Sequence, residues 1–425
     1  MRFMSRMVAL TGACLLAVAG VAIADENVEA QLEQLNDRME QLEGQLEDAN
    51  ARVEAQEEVI RDAQLDEERP GRNALSPFIE STEISAWVAA SYNINFRNPG
   101  KSGAAAGITN QGSFNGTYNL FYNESNTVQF DQAWIGINKA PTEESRAGYN
   151  LDLVAGAVNN GQPSGPYDIG VYAGSASYMM PLMDGFTIEG GLLATWQGAE
   201  VLQQTANLNI TRGIQWNTQP VTNLGFTGAL DMGGGLVVMV GMLNNSLGLD
   251  GPQDSNNNKA VTSRVNYSAD KFSIGAGVNW SKNEIVTGGD HLLFNALLSV
   301  DPTDNLTAYV DYTMNVGDLG GADSMVHAIS VATRLAVLDT TGIAVRGEYV
   351  KDDDGILLND GSGGGNGWTV TGTIDHELTD TLTAKVEIRY DGADMPSGGG
   401  FWNGDGTAAS QDGQVLGILQ LVYEF

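Results

Sequence analysis

The chain has 425 residues and a net charge of −32, yet only 17% of its residues are charged and Gly supplies 53 of them. That acidic balance excludes nucleic-acid binding, which needs a basic stripe, and the single Cys14 falls in the leader, which leaves no thiol or disulfide chemistry beyond it. After the leader no apolar run reaches the ~18 residues that a membrane helix needs, so any crossing falls to strands, because only helices and closed barrels satisfy their backbone in lipid.

Residues 1–24 carry Arg2 and Arg6, an apolar run from Met7 to Gly20, and Ala22-Ile23-Ala24. That is a secretory signal with a small-x-small cleavage site. From Val28 a 4-3 spacing sets in through Leu32, Leu35, Met39, Leu42, Leu46, Val53 and Ile60, with acidic and polar residues between. A stripe this narrow reads as a coiled-coil seam over residues 25–69, and 16 acids against 4 bases keep it solvated. Pro70, Gly71 and Pro77 end the helix in a linker over residues 70–82. The heptads imply a homo-oligomer; mixed branching along the seam and Gln56 leave its number open, with a trimer preferred.

From Ile84 the period changes to two. Ile84, Ala86, Val88, Ala90, Tyr92, Ile94 and Phe96 alternate with Ser85, Trp87, Ala89, Ser91, Asn93 and Asn95, a strand longer than a soluble sheet usually uses. Later runs repeat the pattern, among them Phe272 to Trp280, Leu306 to Met314 and Leu382 to Tyr390. Short connections, such as 231–234, 268–271, 301–305, 339–341 and 377–381, interleave with long ones rich in Gly, Asn and Asp, such as 98–125, 197–220, 244–259, 351–367 and 391–412. This asymmetry belongs to an outer-membrane barrel rather than to a soluble sandwich, whose loops would be alike at both ends. The expected fold is an all-β transmembrane barrel of about 16 antiparallel strands over residues 83–425, behind an α-helical coiled coil in the periplasm.

The final stretch, Gly413 to Phe425, puts Val415, Leu419, Leu421, Tyr423 and Phe425 on one face and Gln414, Gln420 and Glu424 on the other. It should close the barrel against the strand near residues 83–97 with its odd-numbered face to lipid. Its aromatic end resembles the closing strand of bacterial outer-membrane barrels, which implies that Tyr423 and Phe425 serve recognition by the barrel assembly machinery.

Further marks occur in order along the chain: Phe130-Asp131-Gln132-Ala133-Trp134, Tyr149 to Gly156, Gly198-Ala199-Glu200-Val201, Thr211-Arg212-Gly213 before Gln219-Pro220, and Asn244-Asn245 with Asn258-Lys259-Ala260. Together they resemble the β-barrel porin-2 family of Gram-negative outer-membrane proteins over residues 83–425. The resemblance implies a passive diffusion channel for small hydrophilic solutes or ions in the outer membrane, with the third loop, about 197–220, folded inward as a constriction. The acidic heptad segment in front departs from that family.

A porin performs no bond chemistry, so neither an enzyme nor a cofactor is expected, and the residues that matter set pore width and field. Period two turns Lys385, Glu387, Arg389, Arg346, Glu348, Arg334 and Arg264 inward, opposite the lipid-facing Val386, Ile388, Val345 and Tyr349. The early strands offer Asn93, Asn150 and Asp152 to the lumen, and the third loop offers Glu200 and Arg212. The expectation is a late basic wall facing a more acidic early wall and loop, with the alternative that the late pairs only brace the wall. His291, His327 and His376 lack ligand spacing, so no metal site is expected. A rival function is a structural tether, in which a plugged barrel anchors the coil.

Overall fold

A computed structural model describes residues 81–96, 121–122, 126–158, 168–182, 185–247, 257–282, 288–319, 323–354, 364–394, 401–402 and 409–425. The signal peptide, the heptad segment and the linker up to residue 80 lie outside them. The described chain is a closed antiparallel barrel of sixteen strands. Its first half is β1 (Glu83–Asn95), β2 (Thr127–Lys139), β3 (Ala147–Ala155), β4 (Gly170–Met180), β5 (Phe186–Ala194), β6 (Thr222–Asp231), β7 (Leu236–Leu243) and β8 (Ala260–Ala269). The second half is β9 (Phe272–Ser281), β10 (Gly288–Thr303), β11 (Leu306–Leu319), β12 (Asp323–Leu338), β13 (Thr341–Asp352), β14 (Gly365–Thr379), β15 (Leu382–Asp394) and, after a small ribbon of β16 (Phe401–Trp402) and β17 (Ala409–Gln411), the closing strand β18 (Gly413–Glu424).

Each strand pairs with its sequence neighbour, and β18 closes the ring on β1 with Tyr92 opposite Leu419 and Val88 opposite Tyr423. A closed ring leaves no unpaired edge for lipid to meet. Alternation decides which face is which: Val386 and Ile388 are 49% and 59% exposed on the outer face, whereas Arg389, next along the strand, is fully buried. The same holds on β18, where Leu419, Leu421 and Tyr423 face out and Gln420 faces in.

Turns are tighter than the sequence suggested. Strands run on through the flanking polar residues, so β8–β9, β10–β11, β12–β13 and β14–β15 join through Asp270-Lys271, Asp304-Asn305, Asp339-Thr340 and Asp380-Thr381. Two-residue hairpins match the twist of long strands, and ladder hydrogen bonds hold polar residues that composition alone assigns to a loop. The β6–β7 turn uses Gly233, Gly234 and Gly235 at φ +77°, +63° and +86°, a left-handed run that side chains with a Cβ would strain. Within the stretch 391–412, read as loop, β15 continues to Asp394 and the β16–β17 ribbon adds further pairing.

The core of this barrel lies inside the ring. Trp87, Trp134, Val154, Tyr172, Ile418 and Val422 of the wall bury themselves against Leu202, Ile210 and Trp216 of the β5–β6 connection and against Phe121 and Tyr122. Trp87 and Trp134 stack at 5.0 Å with 8° between their planes. One side of the lumen is therefore a packed apolar interior, and the other side is polar.

Candidate functional site

Between β5 and β6, residues 195–221 leave the wall and bond to inward-facing side chains around the ring, so this connection sets what space remains for passage. A loop that enters the lumen brings backbone N–H and C=O groups away from bulk water, and each needs a partner. The wall supplies them from both halves of the chain.

On the late wall the partners are carboxylates. Glu387 of β15 accepts from the Ile210 amide at 2.6 Å and from the Thr211 hydroxyl at 2.6 Å, and Thr373 of β14 donates to it at 2.8 Å. Glu348 of β13 accepts from the amides of Ile214 and Gln215 at 3.1 and 3.3 Å, with Thr369 donating at 2.6 Å. Beside it Arg346 donates to Glu200 of the loop and to the Thr211 carbonyl at 2.7 Å, and its Nε lies 3.1 Å from the Glu348 carboxylate. Arg389 binds Asp391 and the Arg212 carbonyl, both at 2.6 Å. Charged hydrogen bonds are about twice as strong as neutral ones, and a buried charge needs such partners to be tolerated at all.

The early wall and the middle strands hold the two ends of the loop mainly with neutral groups. Gln132 of β2 donates to the Val158 and Leu202 carbonyls at 2.9 and 3.0 Å and accepts from the Gln204 amide at 3.0 Å. Asp311 of β11 accepts from the Ala199 amide at 2.8 Å, and Asn295 of β10 accepts from the Gly198 amide at 3.2 Å. Arg264 of β8 reaches Gln197 at 3.0 Å and Asn295 at 2.9 Å. Asn315 closes the far end through the Thr218 carbonyl at 2.8 Å.

Arg212 holds the loop to itself. Its guanidinium donates to the carbonyls of Val201, Ile210 and Leu202 at 2.7, 3.0 and 2.6 Å and to Gln204 at 3.1 Å. Burial pulls its pKa below the ordinary arginine value, against the attraction of Tyr122 and Glu200. Burial likewise pushes the Glu200 carboxyl above its ordinary range, opposed by Arg346 and reinforced by Glu348. Arg346 already has Glu348 as a partner, so Glu200 is the surplus carboxylate of the trio.

The sequence-derived residues thus fall into separate groups. Glu200, Arg346, Glu348, Glu387 and Arg389 come together around 199–215, and they are buried against the loop rather than lining open water. Arg334 stands apart toward the short-turn end, where it grips Asp375 at 2.6 and 2.9 Å. Lys385, opposite Asp375 in register, donates to the Asn207 carbonyl at 3.3 Å. With Arg334, Asp375, Glu377 and Glu424 it lines a cavity of about 220 Å³ beneath loop residues 205–208. Asp152 sits half-buried on β3, bonded to Asn150 rather than to any of these, and Arg264 belongs to the middle strands.

A late basic wall therefore does not describe the geometry, because its bases are bonded to carboxylates or to loop carbonyls. Asn295, Asp311 and Thr373 went unremarked in the sequence although alternation places them inward, and Gln132 stood out only as part of a family mark; each is a single polar residue in an apolar strand, and only the loop's position gives it work. His291 lies buried between Ser246 at 2.7 Å and Asn315 at 3.1 Å. Among the described residues no group of three His, Cys, Asp or Glu side chains could hold a metal ion.

The family described as Putative beta-barrel porin-2, OmpL-like, matches residues 81–425. Among solved structures, the outer membrane channel DcaP of Acinetobacter baumannii superposes with a TM-score of 0.55 at 12% identity, covering 81% of this chain and 97% of that one. An anion-selective porin from Comamonas acidovorans gives 0.55 and 12%, covering 81% and 99%, and OprB of Pseudomonas putida gives 0.52 and 11%, covering 84% and 97%. At such identities the likeness is one of fold. No curated protein sequence matches. Family and fold speak for a channel rather than an enzyme, and the tether is not favoured.

Proposed function

The chain belongs to the Putative beta-barrel porin-2, OmpL-like family, which makes it a diffusion channel of the porin kind, and from that premise we propose that it passes small hydrophilic solutes and ions across the outer membrane of a Gram-negative bacterium around its inward third loop. The observation that carries this is the loop itself: residues 195–221 are pinned to β2, β8, β10, β11, β13, β14 and β15 by named hydrogen bonds. A channel needs a fixed aperture, and a polar loop anchored at many points around the ring fixes one. A tether would have no need of a charged inner wall.

In this reading Glu200, Arg212, Arg264, Arg346, Glu348, Glu387 and Arg389 act on the aperture by holding the loop, while Asp152, Arg334 and Lys385 act on its field. The short-turn end, where β1 begins and β18 ends, faces the periplasm, and residues 25–69 assemble three copies there as a coiled coil. Outer-membrane lipid meets the apolar band.

Reconstitution of the purified protein in planar bilayers tests the reading. Stepwise conductance from a folded, heat-modifiable barrel is the expected result; its absence overturns the channel. Removal of residues 25–69 should lower the oligomer number and leave single steps intact.

A further inference from the structure

We propose that the pore is cation-selective, and that Asp152 of β3 and Glu189 of β5 are its selectivity-determining residues. The proposal rests on the channel reading above and adds the sign of the charge that passes.

The bases that face the lumen are already engaged. Arg346 lies between Glu200 and Glu348, Arg389 binds Asp391, and Arg334 grips Asp375 with two hydrogen bonds. Arg264 meets Asn295, which in turn donates to Asp311 at 2.6 Å. Arg212 gives its donors to the loop's own carbonyls, and its charge is met by the nearby Glu200 and Glu387. At the mouth beside Lys385 the cavity walls hold Arg334 and Lys385 against Asp375, Glu377 and Glu424, so acids outnumber bases even where an exposed cation would be expected.

The opposite wall has no such compensation. No lysine or arginine occurs anywhere in β3, β4, β5, β6 or β7. The bases nearest in sequence, Lys139 and Arg146, stand at the short-turn rim and bond to the Ser145 hydroxyl at 2.7 Å and the Met179 carbonyl at 3.3 Å. Along this wall Asp152 accepts from the Asn150 side chain at 2.8 Å, and Glu189 is bonded to the Ser175 hydroxyl. Asn150 and Ser175 are partners in the β3–β4 ladder, so the two carboxylates belong to one polar row across three strands. Gly136 of β2 keeps the row open, because a Cβ there would lie 2.9 Å from the Asp152 carboxylate. Both carboxylates are half-buried, their partners are neutral, and their charge is therefore left to act on the water beside them. Carboxylates on a pore wall favour cations because they lower the energy of a cation beside them and raise that of an anion.

The test is the reversal potential of the purified protein in a planar bilayer across a potassium chloride gradient. The wild type should show a potassium-to-chloride permeability ratio well above one at ~0.1 M salt, falling toward one at ~1 M as the Debye length shrinks from about 10 to about 3 Å. The double variant Asp152→Asn/Glu189→Gln should still conduct in discrete steps, smaller at low salt, and lose roughly half or more of that ratio. Should the double variant not fold, the single variants Asp152→Asn and Glu189→Gln must each show part of the same loss. A wild type that conducts but favours chloride overturns the selectivity and spares the channel. A folded double variant with an unchanged ratio overturns the assignment to these residues, as do single variants without effect. Silence from a folded wild-type barrel overturns the channel and this inference together.

Discussion

The Arg346 guanidinium on β13 donates to the Glu200 carboxylate across 146 residues of sequence, with both side chains buried. This is the point at which the wall and the third loop share a charge. Arg346 also binds the Thr211 carbonyl and lies beside Glu348, whose oxygens receive the loop amides at Ile214 and Gln215. One guanidinium thereby meets two carboxylates, and those carboxylates order the backbone.

Replacing Arg346 with Met should release the loop. The aliphatic stem is kept, but Glu200 and Glu348 are left buried without a cation, and breaking a buried pair in this way costs about 3–5 kcal/mol. The barrel ladder is untouched, so the cost falls on the loop. Single-channel recordings should show noisier and larger steps, with faster protease cleavage between residues 195 and 221; steps identical to wild type would refute the anchoring role.

Glu200→Gln should behave differently, and its pH dependence gives the sign. Burial raises the Glu200 pKa in the fold above its unfolded value, so the folded state binds the proton more tightly and stability falls as pH climbs from about 4.3 through the raised value. Gln cannot ionise and removes that slope. Thermal unfolding midpoints across pH 4–8 should therefore show the variant gaining on the wild type toward higher pH, with Glu348 still neutralising Arg346. A variant that loses ground as pH rises would contradict this.

Gly213→Ala tests the closeness of loop and wall. The Gly213 amide donates to Glu200 at 2.7 Å, and a Cβ on this residue would overlap the Glu348 carboxylate. That carboxylate is held on two other sides by the Ile214 amide and Thr369, so it cannot simply swing away. Overpacking of this kind costs typically about 1–3 kcal/mol. The expected outcome is a folded barrel with altered step size, read by gel shift and by bilayer recording together; unchanged steps would show that the loop has slack here.

Alternation made the barrel legible, because each strand needs only its own residues to declare two faces, as Val386-Glu387-Ile388-Arg389 does. Turn positions were less so: Asp301 and Thr303 look like loop residues, yet Thr303 pairs with Leu306 and Asp301 lies in the irregularity between paired Val300 and Thr303, which keeps both in β10. The site was half legible. Inward charges such as Glu387 and Arg346 follow from parity, but their function depends on where residues 195–221 lie, and a loop without periodicity carries no parity signal. For that reason the late wall read as an open basic surface when its charges are spent on the loop, and nothing in the sequence marked the stacked Trp87–Trp134 pair as the apolar floor on which that loop packs.

The last residue offers a test that separates assembly from function. Phe425 donates its amide to the Ala86 carbonyl at 2.9 Å, its ring meets Tyr423 edge-on at 5.0 Å, and it is 78% exposed. Removing it therefore takes away one hydrogen bond at the end of the β1–β18 ladder and almost no buried area, a change of about 1 kcal/mol in a finished barrel. None of the groups that hold the third loop is touched. Protein refolded in detergent should show wild-type conductance steps and a wild-type gel shift, whereas expression in cells should yield far less protein in the outer membrane. Equal loss in both settings would mean that Phe425 stabilises the barrel itself, and equal success in both would remove it from the assembly signal.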